Sequence, residues 1–400
     1  MSAGILIFLA TYLVLAIGRL PGFRVDRTGA AIIGASLMIG FNVLSLEEAY
    51  AAVNYDTIIL LFGMMIVVAN LRLSGFFRLV SAWVVEHAHR PLALLASVVL
   101  VAGVFSAFFV NDTMCLVLTP LVLEITTVLR RNAVPYLLAV AMASNIGSAA
   151  TITGNPQNMM IGSFSRIGYR RFAAALSPVA LIGLLATVGI IALVYRKEIF
   201  AQGRVEIAQP AVRVNRVLMW KALAVSAGMI VFFFWGWPVP KVALIAGAVL
   251  LITRRIKPEK VYREIDWSLL VLFVGLFIVV AGVEKTPFCQ ELLAVASHFR
   301  LEEAAVMSAA AAVLSNIVSN VPAVLLFKPY LARLPDPARA WLTLAMASTL
   351  AGNLTVLGSV ANLIVIQRAR HEVKISFGEY FKVGAPLTAI TILVGVLLLS

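Results

Sequence analysis

Long apolar runs alternate with short polar segments along the whole chain. Runs long enough to cross about 30 Å of hydrocarbon fall at roughly 3–19, 29–45, 55–71, 173–194, 218–236, 239–253, 267–283 and 382–399. Two longer apolar regions, 92–165 and 304–367, are interrupted. One interruption, "TITGNPQNMMIG" at 151–162, puts Thr, Asn and Gln where a bilayer-spanning helix ought to continue. An unpaired polar group at that depth costs several kcal/mol, so such backbone survives only where it is buried in protein or lines a cavity. Gly154 permits unusual φ and Pro156 lacks an N–H, so the pair breaks the helix.

The interrupted regions resemble one another. Residues 141–162, "AMASNIGSAATITGNPQNMMIG", align without gaps to 345–366, "AMASTLAGNLTVLGSVANLIVI", matching Thr151 to Thr355, Gly154 to Gly358 and Asn158 to Asn362. Upstream, 106–120 pairs with 315–329 and 62–69 with 274–281, in the same order. Each half reads as three helices, a re-entrant hairpin (92–128 or 304–334), a broken helix and a last helix. Five crossings per half invert the second copy. The pattern therefore predicts an all-α polytopic membrane protein built as an inverted-topology repeat, with about ten transmembrane helices, two re-entrant hairpins and two broken helices. Residues 1–195 form the first repeat, 196–217 a cytoplasmic linker and 218–400 the second. The transport part falls at about 92–165 and 304–367, and the scaffold in the remaining helices.

Composition agrees: 62% of the 400 residues are hydrophobic and 13% charged, with a mean hydropathy of +0.99. Met1–Leu20 lacks the basic start and cleavage site of a signal peptide and reads as the first span. The net charge of +13 is a topology signal rather than a nucleic-acid surface. With both termini outside a cell (inner or plasma) membrane, the inner segments carry 22 Lys and Arg and the outer ones 9. The outer trio Arg166, Arg170 and Arg171 is the exception. Cys115 and Cys289 form no CxxC pair, and His87 and His89 do not share a helix face, so no metal site or cofactor is implied. Neither HExxH, GxSxG nor a phosphate-binding GxxxxGK[ST] loop occurs, which argues against an enzyme.

The breaks carry the candidate chemistry. The first broken helix offers Asn145, Thr151, Asn155 and Asn158, with Gln157 and Thr153 beside them, and its repeat mate offers Asn353, Thr355, Ser359 and Asn362. The hairpin tips add Asn111, Asp112 and Thr113 from one side and Ser319 and Asn320 from the other. Inverted repeats bring such breaks to one midplane region, so Asn145 and Asn353 are expected in contact. Lys328 is expected either to snorkel toward the outer interface or to stand as a tethered cation neutralising the second ion site, with snorkelling favoured, and Glu124 and Glu284 are expected to be interfacial.

"NDT" at a hairpin tip followed by "NIGSAATITGNPQN" resembles the ion transporter superfamily that includes divalent anion/sodium symporters, sodium/proton antiporters and ArsB-type arsenite permeases. The matching positions are Asn111, Thr113, Asn145, Ile146, Gly147, Thr151, Gly154, Pro156 and Asn158. "GNLTVLGSVANLIV" is closest to the arsenite permease branch. Asp112 replaces an Asn of the hairpin triplet, Val321 stands where a Thr is expected, and Asn155 fills a family carboxylate position, which weakens the sodium/proton reading. The resemblance implies a secondary transporter with elevator-like alternating access, in which a homodimer and a monomer both stay open.

Site charge separates substrate classes. A dicarboxylate or sulfate needs compensating positive charge, whereas these loops are amide and hydroxyl apart from Asp112. Arsenous acid is neutral and carries hydroxyls that donate and accept, as Asn, Ser and Thr do. The expected activity is export of arsenite or antimonite by proton antiport, with Asp112 as the proton-coupling group. The alternatives are a sodium-coupled anion symporter, a sodium/proton antiporter, or a passive channel.

Overall fold

The computed structural model describes residues 3–18, 22–87, 90–200, 214–287, 291, 298–331 and 334–400. Cys289, His89, the side chain of His87 and most of the 196–217 linker lie outside the described residues. The first half runs α1 (Ala3–Ile17), α2 (Arg27–Gly40), α3 (Leu46–Ala52), α4 (Tyr55–Ser74), α5 (Phe76–His87), α6 (Pro91–Phe108), α7 (Asn111–Val128), α8 (Ala133–Ala149), α9 (Pro156–Ser165), α10 (Tyr169–Val194) and α11 (Arg196–Ile199). The second runs α12 (Arg216–Phe234), α13 (Val239–Leu251), α14 (Pro258–Tyr262), α15 (Trp267–Glu284), α16 (Ala304–Val318), α17 (Asn320–Leu331), α18 (Pro337–Ala351), α19 (Val360–Ala369) and α20 (Phe377–Leu399). No β-strand occurs among the described residues. Among the described residues seven helices are long and apolar enough to span, and α1, α2, α8, α13, α16 and α19 are shorter apolar ones.

Local chemistry sets where these helices begin. A first turn leaves N–H groups without intrahelical partners, and Asp26, Asn54, Asn215 and Asp266 each supply the missing oxygen at the start of α2, α4, α12 and α15. Asn54 and Asp266 hold equivalent places in the two halves. The expected spans coincide with these helices to within a few residues. The short α3, α5 and α14 go beyond the expectation; Ser45 and Glu48 form a capping box that nucleates α3.

The two halves interlock through their second and third helices. The third helix of one half packs on the second helix of the other: α4 on α13, and α15 on α2. Repeat-related glycines allow the approach. A Cβ on Gly63 would lie 2.6 Å from the Ala243 backbone, and one on Gly275 would lie 2.8 Å from that of Ala31. Ala31 and Ala243 stand at the same separation in the chain as Gly63 and Gly275, so one contact is written twice. Outside the spans, Lys285 pairs with Glu48, which holds that carboxyl below its usual range.

Hairpin α6–α7 and hairpin α16–α17 turn where the sequence places their tips. Ser319 alone makes the second turn, at φ +75°, a left-handed conformation costly for a residue with a Cβ. Between them α8 is buried along its whole length, so its polar C-terminal end meets protein on every side. Lys328 pairs with Glu284 at 3.4 Å and lies 5.1 Å from the Phe164 ring centroid, where hairpin α16–α17 packs beside α15.

Replacing Gly63 or Gly275 by Leu should destabilise the chain by roughly 1–3 kcal/mol through overpacking. The two effects should be similar in size when read as thermal unfolding in detergent.

Candidate functional site

Asn145, near the end of α8, is where the breaks converge. Its Nδ2 donates to Asn353 Oδ1 and Asn362 Oδ1, both at 2.9 Å. Its Oδ1 accepts from Asn111 Nδ2 at 3.1 Å and from Ser359 Oγ at 3.0 Å. A primary amide has two donors and two acceptor sites, and all four are used. One side chain thus joins the first hairpin tip, the first broken helix and the second broken helix.

Around it the two breaks repeat one hydrogen-bond scheme. Asn158 Nδ2 donates to the carbonyls of Ser148 (3.1 Å) and Thr151 (3.0 Å). Asn362 Nδ2 donates to those of Gly352 (2.7 Å) and Thr355 (3.1 Å). These carbonyls lie where each helix breaks and lack an intrahelical partner, and an amide from the following half-helix bonds them, alongside the turn N–H groups of Gly154 and Gly358 on Thr151 and Thr355. Asn155 caps α9 through Asn158 N at 2.8 Å, and Ser359 caps α19 through Ala361 N at 3.3 Å. Each cap also reaches across: Asn155 Nδ2 to Thr349 Oγ1 at 3.2 Å, and Ser359 Oγ to Asn145, the repeat mate of Thr349. Thr151 bonds the Ala107 carbonyl of its hairpin, and Thr355 bonds Asn316 at the equivalent place. A Cβ on Gly154 would sit 2.2 Å from the Ser148 oxygen, so only glycine lets the break fold back this closely.

The candidate residues separate into two groups. Asn145, Thr151, Asn155, Asn158, Asn353, Thr355 and Asn362 are the clamps just described, and Thr113 lies one residue beyond the hairpin tip. Asn111, Asp112, Ser319, Asn320 and Ser359 instead line a cavity of about 60 Å³ with Pro156 and Gln157. Its remaining wall is Arg27 with Leu15, Leu269, Leu272, Phe273 and Leu276 among the apolar residues.

Within that cavity, most donors are already committed. Gln157 Nε2 reaches Thr349 Oγ1 at 3.2 Å. The Asn320 amide, in the orientation that satisfies both ends, gives its nitrogen to the Ser348 and Gly358 carbonyls and takes Gln157 Nε2 on its oxygen at 3.1 Å. Asn111 Oδ1 is buried without a donor among the described residues. The Asp112 carboxyl adds acceptors. Arg27 escaped the sequence reading because it sits in a loop-end basic segment; the only local signal was its place at the first turn of α2.

Repeat-related faces differ. Leu269 and Leu272 of α15 are half-buried at the cavity, whereas their mates Thr57 and Leu60 of α4 are buried, with α9 packed on α4. The mate of α9, α19, packs mainly on α7.

Four helix breaks meeting in a polar cavity inside an inverted-repeat bundle define a membrane transporter. The chain belongs to the citrate transporter family, CitMHS, which it matches over residues 12–351. Among curated relatives it is 30% identical to the silicon efflux transporter LSI3 of Oryza sativa subsp. japonica, over 95% of this chain and 93% of that one. It is 24% identical to a Dictyostelium discoideum protein carrying the transporter name arsB, over 98% and 90% of the two chains. Its fold matches the Alcanivorax borkumensis YdaH transporter, described as having an unusual topology, with a TM-score of 0.59 at 14% identity over 99% of this chain and 95% of that one. Neisseria gonorrhoeae MtrF, described among antimetabolite efflux pumps, gives 0.60 at 10% identity over 99% and 93%.

Asn158→Ala and Asn362→Ala should each remove two hydrogen bonds that hold a break closed, at about 0.5–1.5 kcal/mol per bond. Both should lower the thermal unfolding temperature by comparable amounts, whereas Thr113→Ala should leave it nearly unchanged.

Proposed function

We propose that the chain exports small, uncharged polyhydroxylated acids, with arsenous or antimonous acid as its substrate, by proton antiport. The observation that carries this reading is the imbalance of the cavity: Asn111 Oδ1 and the Asp112 carboxyl accept, while the amide donors of Gln157 and Asn320 are spent inside the protein. A solute bearing O–H groups supplies donors to these acceptors, and a carboxylate or oxyanion supplies none. The silicon efflux relative is named for a solute transported outward, and silicic acid shares this neutral, hydroxyl-covered surface.

Sodium coupling draws less support. Carbonyls at a helix break are natural sodium ligands, but those of Ser148, Thr151, Gly352 and Thr355 already accept from Asn158 and Asn362. Arg27 favours a second reading, an anion such as the citrate of the family's name, paired with its guanidinium.

A neutral solute feels no membrane potential, so uphill export needs a coupled charge. Asp112 is the ionisable cavity group on a hairpin tip and is assigned that role. The asymmetry between α15 and α4 supports alternating access, since exchanging the packing of the two halves would close this cavity and open its mate. With the termini outside, the end lined by Leu15, Arg27 and Leu269 is the cytoplasmic one, from which an exporter loads.

In everted vesicles, Asp112→Asn should abolish arsenite uptake driven by a pH gradient while leaving arsenite counterflow intact; a gradient response equal to the parent chain would rule out the coupling role. Counterflow of citrate in place of arsenite, lost on Arg27→Gln, would establish the second reading.

A further inference from the structure

The trio Arg166, Arg170 and Arg171 is used neither by the cavity nor by the cytoplasmic charge bias. All three are exposed, and none is in an ion pair among the described residues. Arg170, in the first turn of α10, stands at one end of a groove of about 690 Å³ bounded by α6, α8 and α10. From Arg170 the groove follows α10 past Ala174, Ser177 and Pro178 to Leu184. At 1.5 Å per residue that is about 21 Å, more than the depth of one leaflet of a roughly 30 Å hydrocarbon core.

The recess has a structural cause. Helices α6 and α8 close up backbone to backbone, so that a Cβ on Gly147 would lie 2.0 Å from the Gly103 oxygen. The pair therefore presents a hollow to α10, where alanines face it. Phe234 lines the same end as Arg170, and Trp235 and Trp237 follow it, 73% and 50% exposed. Exposed tryptophans mark the level of lipid headgroups. The polar end of the groove thus lies at headgroup height and its apolar length lies in the acyl region. No carboxylate lines it, so the guanidinium is left for an anion from outside the chain.

We propose that this groove is a binding site for an anionic phospholipid. One acyl chain lies along α10 between Ala174 and Leu184. The phosphate is held by Arg170 through a charge-assisted hydrogen bond, with Arg166 and Arg171 adding positive charge. This accounts for the one basic cluster that departs from the inner-side bias, and it does not depend on which solute is carried.

The test uses the full chain in mixed micelles of phosphatidylglycerol and phosphatidylcholine, with bound lipid counted by native mass spectrometry. Phosphatidylglycerol should be retained preferentially. Arg170→Gln should cut that preference by about tenfold, the equivalent of one charge-assisted hydrogen bond, without changing arsenite counterflow. Ala174→Phe, which fills the groove and keeps the arginine, should reduce retention of both lipids. Equal retention of the two lipids by the parent chain, or an undiminished preference in Arg170→Gln, overturns the proposal. Disulfide cross-linking of two copies through Ala174→Cys would assign the groove to a second copy and overturn it equally.

Discussion

The saturated amide of Asn145 is the interaction on which the rest depends. At the middle of a bilayer no water is at hand to satisfy a broken helix, and interhelical hydrogen bonds there are worth about 0.6 kcal/mol each, up to about 1.7. Four such bonds on one side chain tie together segments more than two hundred residues apart in sequence. They fix the two breaks against each other. Asn158 and Asn362 can then take over the carbonyls that the breaks orphaned. Polar sequence becomes tolerable in the core of a membrane protein because the amide nitrogens of Asn145, Asn158 and Asn362 are matched to oxygens at the breaks.

That matching shapes the cavity as well. Amides that hold the breaks are committed inside the protein, so the polar groups left open to the cavity are an unpaired acceptor on Asn111, the Asp112 carboxyl, Arg27 and a strained Ser319 at the second hairpin tip. The scaffold follows the same economy, since one glycine–alanine contact used twice locks the second and third helices of opposite halves.

The two halves repeat one order of elements. If both adopted the same packing, the cavity would lie symmetrically between them. Instead Leu269 and Leu272 are half-buried while Thr57 and Leu60 are buried. The ion pair Lys328–Glu284 and the Phe164 ring beneath it lie outside the cavity, where charge neutralises charge instead of meeting solute.

The sequence by itself determined the long apolar helices and their breaks, the inverted repeat and the meeting of Asn145 with Asn353, because hydropathy period, Gly and Pro chemistry and chain reversal act locally or by count. Asn111, Asp112, Ser319, Asn320 and Ser359 were legible as cavity groups for the same reason. Only the tertiary structure decided that Asn145, Asn158 and Asn362 are clamps, that Arg27 and Leu272 complete the wall, and that Lys328 is paired. Whether an amide has capacity left for a solute depends on distant neighbours that consume it. A sequence written nearly twice also cannot say which of its two halves will be packed shut.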